Sequence, residues 1–329
     1  MRASKAEPSA PDAFSLPQTV GIDVSKAWLD VYLDPANVFK RVDNTPSGIH
    51  QLLRWLSKVD VKLCITEATG GLERPLLTAF QCAGYSIARI NPRWIRDFAK
   101  SKGRWAKTDR IDAKLLASYG VTIAPEPSPV EDQKTQTFKA LCARRRQLLH
   151  MRTQELIRKK QVCDKMIARM IAANIQSFNR QLKTLEKAID AIIDQNPVWQ
   201  RKRQIIQSVP GLAGTTARTL IADLPELGNL NDKKIAAMVG VAPFNHDSGK
   251  LKGYRAIIGG RNTVRTLIYM VAMGCATRNN QKFQAVYRAF RQRGKPAKVA
   301  IVAIMRKIIV ILNVMIRNDQ TWQEKPKTA

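Results

Sequence analysis

Hydrophobic and polar residues alternate in three short runs near the start of the chain. The runs are "TVGIDV" (19–24), "WLDVYL" (28–33) and "VFKRV" (38–42), and all are rich in β-branched and aromatic residues. A period of two is typical of β-strands, and only a few residues separate one run from the next. We therefore expect three strands that form an antiparallel meander.

The pattern then switches repeatedly between helix and strand. In "TPSGIHQLLRWLSK", Pro46 stands at an expected helix start, and apolar residues recur at helical spacing from Ile49 to Leu56. Two further strands are predicted in "VKLCIT" (61–66) and "YSIARI" (85–90), and two further helices in "LERPLLTAFQCAG" and "PRWIRDFAKSKG". The order β-β-β-α-β-α-β-α predicts an α/β layer with a mixed sheet.

The middle of the chain is predicted to be helical. The proline-containing "VTIAPEPSPVE" (121–131) indicates an extended linker. From 133 to about 202 there is no glycine and only Pro197 as a proline, and apolar residues recur every three or four positions. This pattern predicts two long helices packed as a hairpin of the coiled-coil type.

The last third combines helices with glycine-containing loops. A Pro-Gly turn at 210–211 precedes a helix expected near Thr215, and "NDKKIAAMVG" predicts a short helix capped by Asn231 or Asp232. A polar loop follows and leads into an apolar helix near Asn262. The region 280–316 is expected to be helical and basic, and its apolar part is interrupted by Arg306, which favours a buried helix over a membrane span.

Charge narrows the choice of partner. The 329 residues include 55 Lys and Arg against 26 Asp and Glu, a net charge of +29. Such a field favours nucleic acid, with a membrane surface as the competing partner. Between 139 and 203 there are sixteen Lys and Arg against five Asp and Glu. A phosphate-facing surface and a solvated helix face both explain this excess, and its single sign favours the first.

Two observations predict a cytoplasmic protein. The first eighteen residues, "MRASKAEPSAPDAFSLPQ", lack the apolar core of a secretory leader and predict a disordered tail. The five cysteines lie far apart without a C-x-x-C pair, which fits reduced thiols and argues against a zinc site or a disulfide framework. We expect no membrane partner.

The stretch "KTDRIDAKLL" contains two acidic residues that are candidates for a functional site. Asp109 and Asp112 are three residues apart at an expected helix start and therefore share a helix face. Asp23 stands inside the first strand, and Glu67 directly follows the fourth. Burying an unpaired carboxylate is costly, whereas carboxylates gathered at strand ends suit one or two Mg²⁺ ions acting in phosphodiester chemistry.

Each acid also has a separate, purely structural explanation. Asp23 could be a charge on an edge strand, Glu67 a cap for the following helix, and Asp109 the capping residue of the helix that contains Asp112. The sequence leaves these alternatives open, but a metal site explains the four together.

Several motifs resemble those of the DEDD-type transposases of bacterial insertion sequences. They are "GIDVSK", "EATGG", "AKTDRIDAKLLA", "APFNHDSGKLKG" and "GGRNTVRTLIY", and the similarity extends from about residue 19 to 318. Relatives of this family include pilin-gene invertases and bridge-RNA-guided recombinases. The resemblance implies a ribonuclease-H-like (RuvC-like) α/β domain at 19–124, a linker with a basic coiled-coil arm at 125–203, a mostly helical C-terminal transposase domain at 204–318, and tails at 1–18 and 319–329.

The resemblance also implies a catalytic set. Asp23, Glu67, Asp109 and Asp112 match the family's acidic, Mg²⁺-binding residues, and Ser248 matches the serine that attacks DNA and forms a covalent phosphoserine intermediate. Cations near these positions and on the arm are candidate nucleic-acid contacts: Lys107, Arg110, Arg144, Arg145, Arg146, Lys250, Lys252, Arg255 and Arg261.

Family membership would also imply partners. We expect donor and target DNA duplexes, a bridge RNA that supplies sequence choice, and dimers that join into a tetramer in which one subunit's acids work with another's serine. Such an enzyme would associate with the nucleoid when active. Two alternatives remain: a metal-dependent nuclease of the junction-resolvase type, which needs no Ser248, and a non-catalytic nucleic-acid-binding protein, which needs only the charge.

Overall fold

The computed structural model describes residues 16–103, 109–129, 132–245, 253 and 255–323 of the 329-residue chain. The chain divides into two compact units, with the boundary between Glu131 and Asp132. Each unit is described by itself.

The N-terminal unit contains a five-stranded mixed sheet in the order β3-β2-β1-β4-β5. The pairs β1–β2 and β2–β3 are antiparallel, and β1–β4 and β4–β5 are parallel. This is the predicted ribonuclease-H-like arrangement, a meander extended by parallel strands. The strands are β1 (Gln18–Val24), β2 (Trp28–Asp34), β3 (Val38–Asp43), β4 (Val61–Glu67) and β5 (Ile87–Ile90).

Helices cover both faces of this sheet. Apolar side chains of α1 and α2 pack in one core with the β1 residues Val20 and Ile22, whereas those of α3 and α4 pack on the opposite face with Ile65 of β4. The side chain of Thr45 caps α1 by accepting a hydrogen bond from the amide of Gly48. The helices are α1 (Pro46–Leu56), α2 (Arg74–Cys82), α3 (Pro92–Ser101) and α4 (Asp109–Ile123).

A glycine lets α4 lie directly against the central strand. A Cβ atom added to Gly21 of β1 would stand 2.1 Å from the carbonyl oxygen of Ala113 and 2.4 Å from the amide nitrogen of Ala117. Both atoms belong to the helix backbone, which cannot move aside as a flexible side chain can. The close approach brings the N-terminal turn of α4 over the sheet face that carries Asp23.

We expect Gly21→Ala to destabilise the protein by about 1–3 kcal/mol or more, because the added methyl group must push α4 away from β1. Chemical denaturation followed by circular dichroism measures this change. The matched control is Gly214→Ala, whose Cβ would meet nothing closer than the flexible end of Gln207 at 3.4 Å. That control should be neutral or stabilising by up to about 1 kcal/mol. Equal stability of Gly21→Ala and the wild type would contradict the close packing.

The C-terminal unit starts with the predicted helical hairpin. Helices α5 (Gln133–Lys159) and α6 (Lys165–Asp194) pack against each other, and aspartates at 132 and 164 cap their N-termini. The region predicted as two helices also contains the start of a third, α7 (Pro197–Ser208), because Pro197 begins a new helix capped by Asn196. The linker predicted at 121–131 starts later than expected, because α4 continues to Ile123.

The rest of this unit is a helical core. Asn231 caps α9, as predicted. The helix α12 is long and apolar enough to span a membrane, but Ile304, Ile308 and Leu312 are buried in the core of this unit. The elements are α8 (Gly214–Asp223), α9 (Asp232–Val239), β6 (Pro243–Asn245), β7 (Arg255–Ile257), α10 (Asn262–Gly274), a π-helical turn (Cys275–Asn279), α11 (Gln281–Gln292) and α12 (Ala297–Arg317).

Candidate active site

A row of charged side chains crosses one face of the sheet. Asp23 of β1 lies directly opposite Asp30 of β2, and Asp30 lies directly opposite Arg41 of β3. Residues paired in this way point to the same face. Gly21, two residues before Asp23, contacts α4, so the row lies on the face that α4 covers.

The other predicted acids lie at the same end of this face. Strand β4 runs parallel to β1 with Thr66 beside Ile22, so Glu67 ends β4 at the level of Asp23. Asp109 and Asp112 form the first turn of α4, as the sequence predicted. Strand order and helix packing therefore gather the four acids from three separate segments of the chain.

The pKa of Asp23 responds both to burial and to the charges of these groups. It is raised from 3.8 to about 6, first by burial and then by the negative charges of Asp112, Glu67, Asp109 and Asp30. Burial and like charges both penalise the ionised carboxylate, so at neutral pH the metal-free protein carries an electrostatically unfavourable charge here. A bound cation would relieve that penalty.

Two of the separate structural explanations fail. Strand β1 is the central strand of the sheet, so Asp23 is not an edge-strand charge. The residue before α2 is Glu73, so Glu67 does not cap that helix. The residue before Asp109 lies outside the described part of the chain, so the capping explanation for Asp109 stays a prediction.

A buried glutamate, Glu73, orders the loop that follows Glu67. Glu73 accepts hydrogen bonds from the amides of Thr69 and Gly71 and from the Thr69 hydroxyl, and it pairs with Arg89 at 3.5 Å. Burial alone would raise the pKa of Glu73, but the hydrogen bond from its own backbone amide and those from Thr69 and Gly71 together lower it. The Glu73 carboxylate therefore holds the loop after β4 in a tight turn, because it binds residues only two and four positions earlier.

Sequence reasoning missed Asp30 and Arg41. Asp30 is 1% exposed, and its two carboxylate oxygens accept hydrogen bonds from Arg41 Nε at 2.7 Å and Nη2 at 2.9 Å. The signal was present in "WLDVYL", where a carboxylate interrupts an apolar strand as it does in "GIDV". The expected meander also brings the arginine of "VFKRV" opposite this strand.

The donor set suits a divalent cation, although the carboxylates have not closed around one point. Carboxylate oxygens are the ligands that hard cations prefer. Among the residues that the structure describes, no three His, Cys, Asp or Glu side chains are close enough to hold one ion. One reason is visible: Asp109 Oδ2 is bound to Arg41 Nη2 at 2.9 Å. The raised pKa of Asp23, caused by burial and by the neighbouring negative charges, fits a site that binds a cation.

Comparison with known proteins identifies the enzyme class. Residues 20–168 match the model of the IS110-type DEDD transposase, and residues 203–288 match that of the transposase IS116/IS110/IS902 family. The chain belongs to this family. It is therefore an enzyme that cuts and rejoins DNA, with Asp23, Glu67, Asp109 and Asp112 all inside the N-terminal match.

Whole-chain relatives of this IS110-type transposase agree with the family match. The pilin gene-inverting proteins of Moraxella bovis and Moraxella lacunata are each 26% identical to it over 319 residues, which is 93% of this chain and 98% of each relative. Among solved structures, "T. thermophilus RuvC in complex with Holliday junction substrate" aligns with 13% identity and a TM-score of 0.27, over 34% of this chain and 100% of that chain.

Three predicted DNA-binding arginines of the transposase have carboxylate partners within their own unit. Arg145 is buried and pairs with Glu186, and Arg146 pairs with Asp223 at 2.7 Å. These contacts give both side chains a structural role within the C-terminal unit. Arg261 also has an internal partner, because its guanidinium donates two hydrogen bonds of 2.6 Å to the Glu226 carboxylate.

Other predicted cations remain exposed. Arg110 projects from the first turn of α4 and stacks over the ring of Phe39 at 5.3 Å, and Arg144 and Arg255 are solvent-exposed. Among the residues that the structure describes, these three side chains form no ion pair, so their role as phosphate contacts stays a prediction. The remaining predicted residues, Lys107, Ser248, Lys250 and Lys252, lie outside the described residues.

Proposed function

We propose that this transposase cuts and rejoins DNA with two sets of groups, the acidic residues Asp23, Glu67, Asp109 and Asp112 and the nucleophile Ser248. The observation that carries the proposal is the placement of the acids: Asp23 and Glu67 lie at the same level of neighbouring strands β1 and β4, and Asp109 and Asp112 lie in the first turn of α4. Burial and the negative charges of these acids raise the pKa of Asp23. A carboxylate made unfavourable in this way is typical of a site whose charge serves catalysis.

The acids would hold one or two Mg²⁺ ions. Bound Mg²⁺ supplies positive charge that lowers the pKa of an attacking oxygen and stabilises the charge on a leaving oxygen. The chain's own contribution is orientation: the sheet positions Asp23 and Glu67, and the packing of α4 against Gly21 positions Asp109 and Asp112 above them.

Ser248 would conserve the energy of the broken phosphodiester. Its Oγ attacks phosphorus, a P–Oγ bond forms, and the bond from phosphorus to the sugar oxygen breaks. The proton that the serine gives up to solvent is balanced by one that the leaving sugar oxygen takes up, which makes it a hydroxyl. Attack by the hydroxyl of another strand then reverses the displacement and frees the serine. Lys250, Lys252 and Arg255 follow Ser248 in the sequence and are the proposed cations that stabilise the negative charge of the transferring phosphate.

The choice of DNA sites would depend on RNA, and the complete active site on assembly of several subunits. A net charge of +29 suits two DNA duplexes and a bridge RNA, whose base pairing would choose the sites while the protein binds phosphates. Dimers that join as a tetramer would combine the acids of one subunit with the serine of another. The enzyme would act in the bacterial cytoplasm, on the nucleoid.

Sequencing the RNA that co-purifies with the protein tests whether a bound RNA chooses the DNA sites. The gene should be expressed together with its flanking DNA, and a matched culture should carry the gene alone. We expect an RNA transcribed from the flanking DNA, with segments complementary to the donor and to recovered insertion sites. Strand exchange that proceeds with purified, RNA-free protein would contradict guidance by RNA.

A further inference from the structure

Arg41 connects two carboxylates at the rim of the acidic site. Its Nε and Nη2 bind the two oxygens of Asp30, and the same Nη2 binds Asp109 Oδ2 at 2.9 Å. Side-chain exposure is 2% for Asp30, 43% for Arg41 and 64% for Asp109. The guanidinium is therefore anchored on its buried side and holds Asp109 on its open side.

Other contacts limit where this guanidinium can move. Asp30 and Arg41 are cross-strand partners in the middle of the β2–β3 ladder, so neither backbone can shift without breaking the sheet. The Arg41 guanidinium also stands 5.9 Å from the ring of Trp28, two residues before Asp30. A planar, two-point arrangement of this kind orients a guanidinium much more firmly than a lysine ammonium could be oriented.

In this arrangement, the Arg41 guanidinium competes with an incoming metal ion for the Asp109 carboxylate. Asp109 Oδ2 accepts a hydrogen bond from Arg41 and faces the guanidinium, which orients this carboxylate toward Arg41 and competes with an ion shared with Asp23. Arg41 belongs to the same row of side chains as Asp23, separated from it by Asp30, and its positive charge opposes the approach of another cation.

We propose that Arg41, anchored by Asp30, is a positioning residue that holds Asp109 away from the metal site and lowers the site's affinity for a divalent cation. Entry of the ion then requires the Arg41–Asp109 contact to open, while the buried Arg41–Asp30 pair stays in place. This inference rests on the proposed function, in which Asp23 and its neighbours bind a divalent cation.

Calorimetric titration of the full-length, metal-free protein with Mn²⁺ tests the inference. The main variant is Arg41→Ala combined with Asp30→Asn, which removes one positive and one negative charge together. The net charge near the site is unchanged, and no buried carboxylate loses its partner. Because the Arg41–Asp109 pair is largely exposed, we expect the double variant to bind Mn²⁺ about two- to fivefold more tightly than the wild type.

A second variant covers the case in which the double variant fails to fold. Arg41→Lys keeps the charge but lacks the planar fork that binds both carboxylates at once, so it should bind Mn²⁺ more tightly than the wild type and less tightly than the double variant. Arg54→Ala is the matched control, because Arg54 is exposed on α1 on the opposite face of the sheet. Its affinity should equal that of the wild type.

The outcomes separate two kinds of failure. If the wild type binds Mn²⁺ and Asp23→Asn weakens that binding, while the Arg41 variants bind as the wild type does or more weakly, the role of Arg41 is refuted and the metal site stands. If the wild type does not bind Mn²⁺, or if Asp23→Asn leaves binding unchanged, the proposed metal site fails, and the inference about Arg41 fails with it.

Discussion

Asp23→Asn is expected to abolish DNA cleavage and, in the same protein preparation, to increase the stability of the metal-free enzyme at pH 7.5. Activity should fall by on the order of a thousandfold or more, because a proposed metal ligand of the acidic site is lost. Stability should rise by about 2–3 kcal/mol, since the pKa of Asp23 is raised from 3.8 to about 6 and one pKa unit corresponds to about 1.4 kcal/mol.

The pH dependence of this stabilisation follows from the direction of the shift. The folded protein holds the Asp23 proton more tightly than the unfolded chain does, so the stability that this group contributes is complete below pH 3.8. That stability is lost as the pH rises through about 6. The advantage of Asp23→Asn should therefore be largest above pH 6 and shrink towards pH 4. Chemical denaturation in EDTA across this range measures it.

Asp60→Asn is the control for this experiment. Asp60 is exposed at the end of the loop before β4, so its replacement should change the stability by less than about 0.5 kcal/mol and leave cleavage intact. An Asp23→Asn protein that still cleaves DNA, or that is less stable than the wild type at pH 7.5, would contradict the assignment. Increased stability with lost activity is the result that a functional carboxylate predicts and a structural one does not.

Ser248→Ala is expected to eliminate both the covalent protein–DNA adduct and strand exchange. If Ser248 is the nucleophile, its replacement leaves no route to the phosphoserine ester, so the loss should be on the order of a thousandfold or more. Denaturing gels of radiolabelled DNA detect the adduct, and sequencing of the product junctions detects strand exchange. Binding of Mn²⁺ should match that of the wild type, because the acidic residues are unchanged.

This substitution also distinguishes the transposase with a serine intermediate from a junction-resolving nuclease. Undiminished metal-dependent cleavage by Ser248→Ala would favour the nuclease, in which an activated water attacks the phosphate directly. Ser57→Ala is the control. Ser57 is exposed at the C-terminus of α1, where its hydroxyl donates a hydrogen bond to the Arg54 carbonyl, and its replacement should leave the adduct and strand exchange unchanged.

The sequence predicted the sheet of the N-terminal unit because its strands have clear patterns. Strands β1 and β2 alternate apolar and polar residues, and the turns between them are too short for parallel connections. The pair β6 and β7 was not predicted, since each strand is only three residues long and largely exposed. Strands this short carry no recognisable period.

The candidate site was only partly predictable for a different reason. An aspartate in an apolar strand shows that a carboxylate needs a partner, but it does not show which partner. Asp23 and Asp30 look alike in the sequence, yet the register gives Asp30 an arginine and leaves Asp23 among other acids. Likewise, the internal partner of Arg145 is Glu186, 41 residues away, and only the packing of α5 on α6 reveals that pair.

The central claim is that acids from β1, β4 and α4 meet around a divalent cation. Anomalous diffraction from crystals of the full-length protein grown with Mn²⁺ tests it most directly. The account predicts a peak within coordinating distance, roughly 2–2.3 Å, of an Asp23 carboxylate oxygen and of at least one oxygen from Glu67, Asp109 or Asp112. A protein that cleaves DNA with Mn²⁺, but shows no Mn²⁺ peak in contact with Asp23, would contradict the account.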